Sequence, residues 1–300
     1  MLAAPLEQVG GKAASLGRLT AAGIPVPPFF VVTSAAFEHH LAVNGIPWPA
    51  SHDPRSIQEA IERITAAPMP GDLHDSLLGA LEVLMPADEE PLVAVRSSGA
   101  TEDSGPASFA GQFTTTLNVP PDRLTEAVQE CWASSLSATS LAYRRIRNMG
   151  LGAGPAFAVV VQAQVFPDKA GVLFTRHPLE PDGDAAYLEA NFGTGESVVG
   201  GMVTPDSYSL SRSTGTVLES RIGSKKRMTV VSKSEPGSRV VETDPGLRSR
   251  PVLSAEEAGR LLFLGLGIEG LMGHPQDIEW AFDAGGLWVL QARPQTGAKR

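Results

Sequence analysis

Two carboxylates, an amide and a guanidinium stand in two short strands near the end of the chain, at Asp277, Glu279, Gln291 and Arg293. Residues 276–282 and 287–292 read as the strands of a hairpin, with Ala284-Gly285-Gly286 as a three-residue loop. Strand side chains alternate faces. That puts Ile278, Trp280 and Phe282 on one face with Trp288, Leu290 and Ala292. Asp277 and Glu279 take the other face with Gln291 and Arg293. The loop then sets Asp283 opposite Leu287, Glu279 opposite Gln291, and Asp277 opposite Arg293. Carboxylates with an amide oxygen are hard ligands suited to Mg²⁺. A guanidinium offers a fork of donors matched to phosphate. A plain cross-strand ion pair between Asp277 and Arg293, with Glu279 solvated, fits the same spacing.

A second group of cations lies earlier in the chain. Gly10-Gly11-Lys12-Ala13 opens a helix, where glycines let backbone N–H groups face an anion and Lys12 adds a charge. The spacing is not that of a Walker A loop, and a solvated lysine at a helix start fits it too. Val93-Ala94-Val95-Arg96 ends a buried strand on an arginine, which needs a partner there. Either Asp103 or a phosphate meets that need. Residues 97–111 are crowded with Gly, Ser, Thr and Ala, the composition of a loop whose backbone approaches something closely. Such a loop is able to fold over a triphosphate.

The elements that must position these groups are legible from periodicity. Helices are expected over residues 11–22, 34–43 with Ser34 as N-cap, 56–66 and 71–84, with a long one, open to breaks, over about 121–148. Ser254 caps a further helix running to about Met272, with Glu257 in the capping-box position. Strands are expected over residues 29–33, 91–96, 113–119, 156–166, 171–175, 186–190, 207–210 and 227–231, besides the hairpin. The mixture reads as α+β.

Composition bounds the rest. Three hundred residues suffice for two compact lobes. The net charge of −9 argues against a nucleic-acid or anionic-membrane surface but leaves nucleotide binding open. Cys131 is the only cysteine, which excludes an intrachain disulfide. No signal peptide is apparent, and the most apolar stretches are too short to span a bilayer, so a reduced, cytoplasmic compartment is expected.

Taken in order, the segments resemble the N-terminal ATP-binding domain of phosphoenolpyruvate synthases, pyruvate phosphate dikinases and rifampin phosphotransferases. The matching stretches are residues 10–17, Val95-Arg96-Ser97-Ser98, residues 108–112 with Leu117-Asn118-Val119, and Val159-Val160-Val161-Gln162. Residues 171–176, 193–199, Thr204-Pro205-Asp206, Asp277-Ile278-Glu279-Trp280 and Leu290-Gln291-Ala292-Arg293-Pro294 complete the series. The resemblance implies an ATP-grasp fold of two lobes with the nucleotide cleft between them. Residues 1–157 would form the first lobe with its phosphate lid, 158–296 the second with the metal and phosphate hairpin, and 297–300 a tail. It further implies an ATP-dependent phosphotransferase. Lys12 and Arg96 would hold phosphates and Arg293 would contact the terminal ones, the three carrying catalysis. Gly111, Thr115 and Thr116 would belong to the lid, and Gln162 would read the adenine edge. Glu279 and Gln291, with Asp277, would hold Mg²⁺.

In that family a phosphoryl group passes through a histidine on a swivelling domain, in a Gly-rich segment containing Ser/Thr-x-His-x-Ala. None of His39, His40, His52, His74, His177 and His274 lies in such a context. The reading that follows is a kinase component that cleaves Mg·ATP and phosphorylates a histidine on a separate partner. A self-contained small-molecule phosphotransferase or ATP-grasp ligase is one alternative, and a non-catalytic ATP-binding regulatory module is another. Met1 stands nine residues before the first motif, as expected of a natural start.

Overall fold

The computed structural model describes residues 5–85, 91–99, 115–146, 150–152 and 154–295. They form two compact units. The first takes the described residues of Met1–Ala14, Pro28–Glu102 and Gly111–Gln164; the second takes Ser15–Pro27 and those of Val165–Arg300. The strand over Phe157–Ala163 lies whole in the first unit.

The first unit begins with α1 (Leu6–Ala21), which is broken at Gly10 and hands over to the second unit at Ser15. It continues through β1 (Phe29–Val32), α2 (Ser34–Val43), α3 (Pro54–Ala66), α4 (Gly71–Leu84), β2 (Val93–Gly99) and β3 (Thr115–Val119). A 3-10 turn, α5 (Leu124–Ser134), α6 (Ala138–Ile146) and β4 (Phe157–Ala163) complete it. The strands form one antiparallel sheet in the order β1-β4-β2-β3. One face of this sheet is apolar: Val93, Val95, Phe157, Val159 and Val161 pack with residues of α2 to α5 in the core. Phe37 and Trp132 stack there at 4.8 Å, a pair worth about 0.5–1.5 kcal/mol beyond its area.

Two local expectations change, and a third is made specific. Thr33, not Ser34, is the N-cap of α2, and the Ser34 hydroxyl instead donates to the Glu7 carbonyl at 3.3 Å. Residues 97–99 continue β2 rather than opening a loop. The long helix, read as open to breaks, breaks after Ser134, where the Ser134 and Ser135 hydroxyls donate to the Cys131 and Trp132 carbonyls at 2.6 Å and compete with the helical ladder.

The second unit holds β5 (Lys169–Phe174), β6 (Ala185–Phe192), α7 (Glu196–Val199), β7 (Asp206–Ser211), β8 (Val217–Arg221), β9 (Arg227–Ser232) and β10 (Glu235–Glu242). Then come α8 (Pro245–Arg248), α9 (Ala255–Met272), β11 (Gln276–Asp283) and β12 (Gly286–Pro294). Six strands make an antiparallel sheet in the order β12-β11-β5-β6-β7-β8, and β9 and β10 pair separately. The long helix α9 covers one face of the six, with Gly265 seated against Leu173 and Ile278. Its capping box is present as expected: Ser254 accepts from the Glu257 N–H and Glu257 accepts from the Ser254 N–H. Strands β8 and β10 were not expected. β8 is almost wholly exposed, so it shows no burial alternation, and Pro236 and Gly237 interrupt the pattern of β10.

A buried ion pair anchors the segment after β8. Asp206 and Lys225 pair with no exposed side-chain surface. Asp206 also accepts from the Gly223 and Val252 N–H groups, both at 2.8 Å. Every strong donor around that carboxylate is thus used to tie three chain segments together, which is what makes a buried charge tolerable.

Candidate active site

In the first unit the candidate residues gather on the sheet face opposite the apolar core. Alternation along β2 sends Val93 and Val95 to the core and leaves Ala94, Arg96 and Ser98 on the other face. The register pairs Ala94 with Gln162, Arg96 with Val160, and Arg96 with Thr115 on the other side. Arg96 is buried, and its Nη1 donates to the Gln162 Oε1 at 3.1 Å. The Gln162 Nε2 is buried without a hydrogen-bond partner among the described residues. A buried amide whose NH2 donors are both unused has what reading an acceptor on a ligand edge requires.

Lys12 is brought to the same strand end. Its buried Nζ donates to the Ser97 carbonyl at 2.6 Å. The start of α1 is bolted to β2 by Ser98, whose hydroxyl donates to the Val9 carbonyl at 2.7 Å and accepts from the Ala13 N–H at 3.1 Å. Two cations, Lys12 and Arg96, therefore reach one end of β2. Thr115 and Thr116 are strand residues of β3, with Thr115 exposed beside Arg96. Gly111 and Asp103 lie outside the described residues.

In the second unit β11 and β12 pair Asp277 with Arg293 and Glu279 with Gln291. The route to that register differs from the expected one. The loop is two residues, Ala284-Gly285, because Asp283 pairs with Gly286. A bulge at Leu290, between the Glu279–Gln291 and Trp280–Val289 pairs, then adds the missing residue. One consequence is that Trp288 pairs with Ala281 on the carboxylate face, where its Nε1 donates to Asp283 at 3.0 Å.

The Arg293 Nη2 and Nε both reach the Asp277 Oδ2, at 2.7 and 2.9 Å. The Asp277 Oδ1 is buried with no hydrogen-bond partner among the described residues. Burial pushes the Asp277 carboxyl above the ordinary range, Arg293 opposes that shift, and Glu279 adds to it. A carboxylate with one buried, unused oxygen next to a second acid has the donor character that a divalent cation satisfies. No group of three or more His, Cys, Asp or Glu residues gathers around a possible ion among the described residues. Mg²⁺ does not need one, because it keeps several waters and takes one or two carboxylates. The donor set of Asp277, Glu279 and Gln291 therefore fits magnesium.

Two further residues share this face and were not singled out from the sequence. Glu279 lies across from Val172, and Val172 from Glu189; Asp277 lies across from Phe174, and Phe174 from Tyr187. The Tyr187 hydroxyl donates to the Glu189 Oε1 at 3.1 Å. Burial, then the Glu189 charge, push the Tyr187 hydroxyl pKa up. The signal for both was the alternation in residues 185–192, whose odd positions take the carboxylate face. His177 sets its ring edge against Tyr187 at 5.0 Å, and its Nδ1 accepts from the Leu179 N–H at 3.3 Å.

The model of the pyruvate phosphate dikinase AMP/ATP-binding domain matches residues 6–300. The chain belongs to that family. Among curated relatives, this pyruvate phosphate dikinase-type domain is 38% identical to a "Probable phosphoenolpyruvate synthase" of Methanocaldococcus jannaschii, across 98% of this chain and 26% of that protein. It is 34% identical to the rifampicin phosphotransferase of a Streptomyces species, across 98% of this chain and 35% of that protein. The chain thus spans about a quarter to a third of those relatives' length. Among solved structures, the D-alanine–D-alanine ligase of Bacillus anthracis complexed with ATP aligns at 9% identity and a TM-score of 0.32, over 94% of this chain and 54% of that one. No helix among the described residues of the ATP-binding domain is long and apolar enough to cross a membrane.

Proposed function

We propose that this chain is the nucleotide-handling component of a phosphotransferase: it binds Mg·ATP in an ATP-grasp fold and passes a phosphoryl group to a histidine on a separate partner domain. The observation that carries the reading is the hairpin register that sets Asp277 against Arg293 and Glu279 against Gln291 on one face. Membership of the ATP-binding family supports it, as do relatives described as phosphoenolpyruvate synthase and rifampicin phosphotransferase.

In this reading Lys12, Arg96 and Arg293 hold the phosphates. Gly111, Thr115 and Thr116 cover them, and Gln162 reads the adenine edge. Asp277, Glu279 and Gln291 hold the magnesium ion, which when bound offsets the negative charge of the phosphates. Phosphoryl transfer asks little covalent chemistry of the protein, and most of its catalysis is positioning and charge stabilisation. Arg293 suits that task, since its fork is already oriented by Asp277 and is able to share itself with a phosphate oxygen. The histidines of this chain supply no relay, so the acceptor histidine belongs to a partner in a compartment taken to be the cytoplasm.

Calorimetry of Mg·ATP against the wild type, Arg293→Ala and Glu279→Gln tests the site. Each substitution is expected to weaken binding by about 1.5–3 kcal/mol, the range for a charged hydrogen bond. Incubation with γ-labelled and β-labelled ATP and a histidine-bearing partner then tests the transfer. Label on the partner's histidine, with AMP as product, is expected. Binding without label on any acceptor, or ADP as the sole product, would sink the relay.

A further inference from the structure

The free edge of the six-stranded sheet is patterned to pair with itself. β8 ends that sheet, and among the described residues no strand pairs with its outer side. Exposed edges are usually blunted with Lys, Pro or a covering loop. Val217-Leu218-Glu219-Ser220-Arg221 has neither Lys nor Pro; it is short, carries Glu219 and Arg221 and has a bulge where Ser209 and Leu210 meet it, devices that weaken edge pairing without abolishing it. Leu218 is 61% exposed, Ile222 just beyond the strand is 43% exposed, and Phe263 of α9 is 56% exposed. Phe263 lies beside the approach to β8, since a Cβ on Gly215 would meet its ring at 2.7 Å. Glu219 and Arg221 are exposed and paired only with one another in the contacts described, at 2.8 Å.

An antiparallel copy of the same strand, with the two-fold axis at Ser220, produces a complementary match. Glu219 falls opposite Arg221 of the second copy, and Arg221 opposite its Glu219. Leu218 falls opposite Ile222, and Ile222 opposite Leu218. Ser220 meets itself, a small neutral pair at the axis. Opposite charges and apolar pairs directly across an antiparallel ladder are the stabilising combinations. Shifting the axis by one residue either way would set Glu219 against Glu219 or Arg221 against Arg221, so the charge pattern favours this register over its neighbours.

We propose that two copies of this chain associate edge to edge through β8, joining their six-stranded sheets across a two-fold axis. Such a contact is isologous, with each patch used once by each copy. The strand is short, so the interface falls below the usual size of a permanent dimer and the association is weak and concentration-dependent.

Sedimentation of the full chain up to near-millimolar protein tests this, with three charge variants. Wild type is expected to shift from monomer to dimer as concentration rises. Glu219→Arg sets arginine against arginine, and Arg221→Glu sets glutamate against glutamate, so each alone is expected to stay monomeric. An equimolar mixture of the two variants restores both opposite pairs and is expected to dimerise, as is the double variant E219R/R221E. Both positions are on the surface, so unchanged circular dichroism is the folding control. A wild type that is monomeric throughout overturns the proposal. So does a dimer that neither single variant weakens, or singles whose mixture fails to associate.

Discussion

At Gly10 the backbone takes φ 76°, and an added Cβ would sit 2.0 Å from the Ser98 carbonyl oxygen. Read as sequence, this glycine stood at a helix start whose backbone N–H groups could face an anion. In the structure it also lets the chain pass against the end of β2, which is how Lys12 arrives beside Arg96. Gly10→Ala combines a left-handed backbone with a clash against main chain, and is expected to destabilise the first unit by about 1–3 kcal/mol or more, read from the denaturant midpoint. Asp277 illustrates what sequence does not carry. Its pairing with Arg293 was legible from strand alternation, but its burial was not, and burial sets its chemistry. Its raised pKa means that the folded chain holds this proton more tightly than the unfolded chain does. Its contribution to stability is then best below the ordinary aspartate value and declines as pH climbs past about 4 toward the raised value. Asp277→Asn removes that term. The stability difference between wild type and variant is therefore expected to turn against the wild type as pH rises through that window, measured by urea unfolding at successive pH values.

The elements were read best where local chemistry alone defines them. Ser254 and Glu257 announced α9, and the structure has both of their reciprocal bonds. The terminal hairpin was read in part. A three-residue loop, or a two-residue loop followed by a one-residue bulge, brings Glu279 opposite Gln291 equally well. Sequence chose the first, and the structure has the second. Only the residues between loop and bulge change face, which is why Trp288 was misplaced while the candidate ligands were not. What holds α9 to the sheet was invisible in sequence, because it joins residues far apart. Arg212 binds both Glu269 oxygens, at 2.9 and 3.0 Å, and also donates to the Thr175 carbonyl. Burial alone would raise the Glu269 carboxyl, but the bonds from Arg212 and Thr175, with the charges of Arg212 and Arg176, together outweigh it and hold the carboxyl below the ordinary range. A lowered acid stabilises above its ordinary pKa and loses that contribution as pH falls through the lowered value. Arg212→Ala is expected to cost about 1.5–3 kcal/mol at neutral pH, with the gap to wild type narrowing on acidification. Thermal unfolding at pH 7 and at pH 3.5 checks both the size and the sign. A gap of the same size at both pH values would show that Arg212 acts by packing and not by charge.

At the scale of the molecule, the chain of 300 residues and net charge −9 has to attract a polyanion with a few local cations. Lys12, Arg96 and Arg293 are partly or fully buried and already held by neighbouring oxygens. They therefore pay little ordering entropy when a ligand arrives. A ligand that binds only the folded chain stabilises it by RT ln(1 + [L]/Kd), about 2.7 kcal/mol at a hundredfold excess over Kd. In a chain of two compact units that gain need not appear as one shifted transition, since each unit has its own core and the unfolding is not bound to be two-state. The quantity to follow is thus the melting profile in the presence of ATP, with and without magnesium. Mg·ATP is expected to raise the melting of the chain by several degrees, and EDTA to remove most of that rise. In the proposed site, loss of the cation would leave the carboxylates of Asp277 and Glu279 facing the phosphates directly, and like charges repel. Glu279→Gln removes one of those charges. In that variant the stabilisation by magnesium-free ATP is expected to increase while that by Mg·ATP falls, so the two ligands converge. Equal stabilisation of the wild type by ATP with and without magnesium would instead show that the hairpin carboxylates do not meet the phosphates through a metal ion, and would leave Arg293 as the only hairpin group engaged with the nucleotide.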